Sequence, residues 1–373
     1  MSYRHTFLKF PLVRFFSSIK LTVACLFLLY ILTFTGTIAQ IHEGLYLAQQ
    51  HYFESFFFLA FGFLPFPGAQ AVMWLLFINL IVVALTRFVY QWQRIGIIII
   101  HSGLLLFLIS GYLTLHNAEE SHLTLSEGQA SNVSISYHDW EVAIWENLIE
   151  EEKFKIDRDV TAIDTQHIKP NQIIPLDELG FRVTVKEYYQ NCEAYVSRIE
   201  PSPLFKEPEK NTPGGIFTIT TNDHKFFDVL LYGGENKPIP IEVGKKQYNV
   251  ILRLKRHPLP FIVKLKKFRK EDHPGTNTAR SFQSLVEIQA DKAWREKLIS
   301  MNEPLRYKNF TFYQASFSQD KAGSQSSTLA VVKNFGRLMP YISTFVTVMG
   351  LITHFSMLAI RSKKKTTGKK NHE

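Results

Sequence analysis

The stretch IGIIIIHSGLLLFLISGYLTL (residues 95–115) decides the fold. It carries no Lys, Arg, Asp or Glu. At 1.5 Å rise per helical residue it is long enough to cross the roughly 30 Å of a bilayer's hydrocarbon core. Three other stretches have the same character: 21–39, 71–86 with an extension to Tyr90, and LMPYISTFVTVMGLITHFSMLAI (338–360). The expectation is a membrane protein with four transmembrane helices. FESFFFLAFGFLPFP (53–67) is also strongly apolar, but its two prolines, its glycine and its aromatic content read better as an interfacial or re-entrant element.

The basic residues orient the spans. Arg4, Lys9, Arg14 and Lys20 precede the first, and Arg87 and Arg94 lie between the second and third. Arg361, Lys363, Lys364, Lys365, Lys369 and Lys370 follow the fourth, while residues 41–70 contain no Lys or Arg. By the positive-inside rule this gives a basic cytoplasmic N-terminus (1–20), an outward loop (40–70), a cytoplasmic turn (91–94), a large outward domain (116–337) and a basic cytoplasmic tail (361–373). Residues 116–337 hold 30 basic and 30 acidic side chains, so the net charge of +9 comes from the membrane-flanking segments. That charge reports topology and contact with membrane lipid, not nucleic-acid binding. The first span is too long for a typical signal-peptide core, and no convincing small-x-small cleavage site follows, so it is expected to be retained. The expected location is a membrane, with the basic flanks on its cytoplasmic side.

The outward domain alternates short apolar runs with turn formers. FRVTVKEYY (181–189), GIFTITTN (215–222), KFFDVLLY (225–232), YNVILRLK (248–255), FIVKLKKF (261–268), SFQSLVEI (281–288), FTFYQAS (310–316) and TLAVVKN (328–334) all suit strands. A β-rich domain, sandwich-like or barrel-like, inserted between the third and fourth helices is the expected architecture. It lacks GxSxG, HExxH, P-loop and dinucleotide motifs, and its histidines (122, 138, 167, 224, 257, 273) show no metal-ligand spacing. The acidic run at 150–152 reads as a solvated loop. Cys25 and Cys192 are placed too far apart to pair, and the absence of CxxC excludes both a dithiol reductant motif and a covalent haem attachment site. No catalytic residues are assigned; a binding or scaffolding role fits the domain better.

Two histidines stand inside the spans. His101 lies seven residues after Arg94, and His354 seven residues before Arg361. Each is expected roughly 10 Å inside the cytoplasmic boundary. Ionisable groups at that depth are costly and mark function by default. Two imidazoles at one depth suggest a cofactor that takes both, with haem the leading candidate. The plainer alternative is a buried histidine bonded to a neighbouring helix. His42, His51 and His116, near the outer surface, are candidates for an exit site or simply solvated side chains. Arg87 and Arg94 read first as headgroup anchors and second as contacts for haem propionates.

Several stretches resemble the ResB/CcsB family, a membrane subunit of System II cytochrome c maturation. They are GTIAQ (36–40), GLYLAQQHYFES (44–55), Asn79 with Arg87, HSGLLLFLISG (101–111) and LTLSEGQ (123–129), with LPFIVKLKKFRKEDHPG (259–275) and NEPLRYKNFTFYQASF (302–317) the most specific. The resemblance runs over nearly the whole chain. It implies one half of a cytochrome c synthase that brings haem b to the outer face and presents it to apocytochrome c. The other half is a CcsA/ResC-like protein carrying a tryptophan-rich WWD segment, which none of Trp74, Trp92, Trp140, Trp145 and Trp294 forms. His101 matches a family position for which transmembrane haem ligation is implied, the second ligand coming from the partner. His354 as an intramolecular second ligand extends the depth argument beyond the family. Two other functions are weighed against this one: a membrane b-type cytochrome carrying electrons on a His101–His354 haem, and a haem-free structural scaffold.

Overall fold

The computed structural model describes residues 10–370 apart from 61, 89, 148–159, 223–224, 245, 277–278, 291–292 and 320–324. The acidic run 150–152 and His224 lie outside the described residues. The chain divides into a helical unit, residues 1–118 with 334–373, and a β-rich unit, residues 119–333.

The helical unit holds four helices long and apolar enough to cross a membrane. They are α2 (Ile19–Glu43), α4 (Ala69–Thr86), α5 (Ile95–Asn117) and α6 (Met339–Lys370), and two short helices, α1 (Pro11–Phe16) and α3 (Leu45–Ala48), complete the set. Helix α2 starts where Ser18 accepts a hydrogen bond from Lys20 N, and it runs to Glu43 before Gly44 turns the chain at φ 80°. Helix α6 outlasts its apolar run and continues through the basic tail, because lysine and arginine are good helix formers and no proline intervenes.

Asn79, buried in α4, ties the start of the chain to the bundle. Its Oδ1 accepts from Thr22 Oγ1 at 2.7 Å, and its Nδ2 donates to Phe16 O at 2.6 Å and Ser18 O at 3.2 Å. Every polar atom of the amide is thus satisfied, as a buried amide in an apolar bundle requires. The aromatic segment 53–67 closes as a hairpin, β1 (Phe57–Ala60) with β2 (Leu64–Pro67), after a π-helical turn Gln49–Glu54. Phe58 and Phe66 pack with Tyr52 and Phe53 against the cluster of Cys25, Leu32, Val72 and Leu76.

In the β-rich unit every strand pairing among the described residues is antiparallel. The larger sheet runs β15 (Ala293–Ser300), β14 (Ala279–Ala290), β13 (Lys246–Asp272), β4 (Ala130–Glu146), β3 (Glu119–Ser126), β18 (Gln325–Lys333), β17 (Phe310–Gln319), β16 (Leu305–Tyr307). A smaller one runs β11 (Phe226–Tyr232), β10 (Gly214–Thr221), β7 (Phe181–Tyr189), β6 (Ile173–Leu176). The runs YNVILRLK and FIVKLKKF, expected as two strands, are one 27-residue strand, β13.

That strand serves two cores. Tyr248, Val250 and Leu252 pack with Phe181, Val183, Phe217 and Ile219 of the smaller sheet, a sandwich contact. Leu259, Phe261, Val263 and Leu265 pack with Leu123, Ile299, Phe312 and Leu329, where the larger sheet curls towards itself. The alternation restarts out of phase between the two sets, after a register shift between Leu254 and Arg256. The sheets do not close into a barrel.

Candidate functional site

Helices α5 and α6 pack antiparallel along a seam of small residues. A β-carbon on Gly96 would lie 2.6 Å from His354 N and Cα, and one on Gly350 would lie 2.6 Å from Ile100 N. Gly103 faces Thr347 and Ser343 in the same way. Only glycine permits this backbone approach, the usual device for joining helices where lipid supplies no hydrophobic drive. Arg361 closes the end of the seam by donating to Gln93 O and Oε1.

This register sets the two span histidines apart. His354 lies against Gly96, so His101 sits more than a turn further along α5, an offset of roughly 7 Å. The contact between α5 and α6 is backbone against backbone, leaving no slot for a flat macrocycle between the helices at His354. The structure therefore does not bring His101 and His354 together as an axial pair around one haem.

His101 on its own has the chemistry of a ligand. Its Nδ1 lies 2.8 Å from Ile97 O. A carbonyl oxygen only accepts, so Nδ1 carries the proton, and in the neutral ring Nε2 holds the lone pair that binds iron. The Phe88 ring stands edge-on to the imidazole at 4.6 Å between centroids and fixes its plane. The imidazole is half-buried, while Leu104, one turn further along the same side of α5, is exposed.

The outer-face candidates are dispersed. His116 is exposed at the end of α5, its Nδ1 3.1 Å from Tyr112 O and its ring 4.2 Å from that of Tyr112. Tyr112 in turn meets Trp74 and lines a cleft of about 300 Å³ between α4 and α5, with Phe53, Met73 and Phe77. His51 Nδ1 bonds Glu43 Oε2 at 3.1 Å, and His42 is exposed nearby on α2. Among the described residues no three of His, Cys, Asp and Glu converge as a metal site. Sequence reading missed Phe88 as the partner of His101, because the contact depends on how the turn before α5 folds back. It also missed the Tyr112–Trp74 cleft, which exists only once α4 and α5 pack.

In the β-rich unit, burial pushes the His122 and His257 imidazoles below the ordinary histidine range, Glu119 partly opposing the shift at His257. Burial also pushes the Cys192 thiol up to about 11, so it stays protonated and unreactive at neutral pH.

Residues 232–344 match the ResB-like family, from the end of β11 through the start of α6. Protein NrfI of Wolinella succinogenes is 28% identical over 116 residues, covering 29% of this chain and 12% of that protein. By that match this chain is similar to ResB-like proteins over residues 232–344, a stretch that lies in the β-rich insert and the start of the last of its four apolar helices.

Proposed function

We propose that this chain acts in cytochrome c biogenesis as a ResB/CcsB-type subunit, working with a CcsA/ResC-like partner. It resides in the bacterial cytoplasmic membrane with both termini inside and the β-rich unit outside, an orientation that the basic flanks support. His101 takes haem b as cargo through Nε2, and a histidine of the partner supplies the opposite ligand. His42, His51 and His116 are the residues of this chain available to meet haem on the outer side. The observation that carries the reading is the fixed His101 tautomer, with a lone pair beside exposed apolar surface in a membrane helix.

What the chain contributes is orientation and dryness. Phe88 holds the imidazole plane, Ile97 O holds the proton on Nδ1, and the leucines of α5 exclude water from the iron. Thioether formation on apocytochrome c is not assigned to any residue of this chain. The electron-carrier reading would need both axial ligands within the chain, and the closed α5–α6 seam argues against it.

The test is co-expression with a CcsA/ResC-like protein and the absorbance spectrum of the purified complex. His101→Ala should cut haem content at least fivefold at unchanged protein level, with partial recovery when imidazole is added. Unchanged haem content in His101→Ala would overturn the ligand assignment and leave a scaffold role.

A further inference from the structure

At the end of the α5–α6 seam that leads into the β-rich insert, two polar groups are buried with no partner among the described residues. One is Arg337 Nη1, two residues before α6, and the other is Ser110 Oγ on α5. Ser110 is 2% exposed and occupies the α5 face that carries Gly96 and Gly103 against α6. The two are near each other along the seam, because Gly336 packs against Leu113 and Thr114.

Arg337 is only half-buried, but its Nη1 is turned inward, and a buried N–H left without an acceptor is costly. The helical unit offers no free carboxylate among its described residues. Its described carboxylates, Glu43 and Glu54, are engaged by His51 and Gln49. The first turn of α6 contains no acidic residue, so the positive end of a long helix adds to the Arg337 charge without compensation. Two donors and a helix dipole at one place define a receptor for an oxyanion.

We propose that Arg337 and Ser110, beside the start of α6, form a binding site for the oxyanion of a membrane ligand: the phosphate of an acidic phospholipid or the carboxylate of a porphyrin. The porphyrin source rests on the haem reading above; the lipid source does not. Arg337 Nη1 donates to one oxygen and Ser110 Oγ to another. The ligand's apolar body remains in the bilayer.

The full chain in detergent is titrated in two arms. One compares dioleoylphosphatidylglycerol with dioleoylphosphatidylcholine by native mass spectrometry. The other compares iron(III) protoporphyrin IX with its dimethyl ester by difference absorbance. In the arm that supplies the ligand, wild type prefers the acidic probe, Arg337→Gln removes that preference by about tenfold, and Ser110→Ala weakens it by a few-fold. Arg337→Lys retains part of it and carries the test should Arg337→Gln fail to fold.

A phosphatidylglycerol preference lost with Arg337→Gln identifies the lipid; an acid-over-ester preference so lost identifies the porphyrin. Acidic-probe preferences within twofold of wild type in both arms for Arg337→Gln and Ser110→Ala overturn the site. His101→Ala, run alongside, alters the porphyrin spectrum and leaves the phospholipid arm untouched, so failure of the haem reading registers separately.

Discussion

Glu141 and Arg253 face each other across β4 and β13, with Oε1 and Nε 2.9 Å apart; Glu141 is buried and Arg253 largely so. Trp145 adds a ring 5.8 Å from the guanidinium. Removing the carboxylate takes a charge-assisted hydrogen bond from a largely buried guanidinium, so Glu141→Ala should destabilise the β-rich unit by about 1.5–3 kcal/mol, read as a lower Tm. A neutral outcome would mean that water reaches Arg253. Cys192 gives a second expectation at this scale. Its thiol, held at about 11 by burial, should resist iodoacetamide at pH 8 in the folded chain and react within minutes once denaturant is added. Fast native labelling would show the strand pair β8 (Cys192–Ala194) and β9 (Ile199–Pro201) to be open. Sequence reading located His101 from its depth in the span and from its place in the ResB/CcsB resemblance. The Nδ1–Ile97 contact, which in the neutral ring leaves the lone pair on Nε2, follows from helix geometry and needed the structure.

Helices show how much hydropathy alone can reveal. The four spans were legible because lipid imposes one requirement, a long uncharged run, and each helix meets it. The pairing of α5 with α6 was not, since Gly96, Gly103 and Gly350 acquire meaning only through the residues opposite them. Gly96→Leu tests that pairing with opposed magnitudes. Helix propensity favours leucine by almost 1 kcal/mol, while overpacking against His354 costs about 1–3 kcal/mol. The variant should therefore melt earlier in detergent; a higher Tm would show that the seam is not tight. Among strands, β7 was read from alternation with the observed bounds, whereas β4 was missed entirely. Its ends serve different neighbours, its buried positions include serines, and its register breaks against β13, so no single period of two survives along it.

For the whole molecule, the two units answer to different solvents, and pH discriminates between them. His122 and His257 stay neutral in the folded β-rich unit below the ordinary histidine value of 6.5. The unfolded chain protonates first as pH falls, so it binds more protons, and stability drops below about pH 6.5 while remaining flat above it. The Tm of the β-rich transition should fall between pH 7 and pH 5, and His122→Gln should flatten part of that slope. An unchanged slope in His122→Gln would assign the effect to other groups. The two-unit division itself was legible from charge balance and alternation, but the two cores sharing β13 were not, because a register shift in mid-strand leaves no compositional mark.

The β-rich unit begins at Glu119 and ends at Lys333, which pair in register on β3 and β18 with Nζ 3.1 Å from the carboxylate. Its two ends are therefore one strand spacing apart, roughly 5 Å. Such a unit is topologically a cassette. The helical host experiences it as a short link between neighbouring points, whatever its internal size. A host of this kind accepts exchange or enlargement of the inserted module without relearning how its own helices meet.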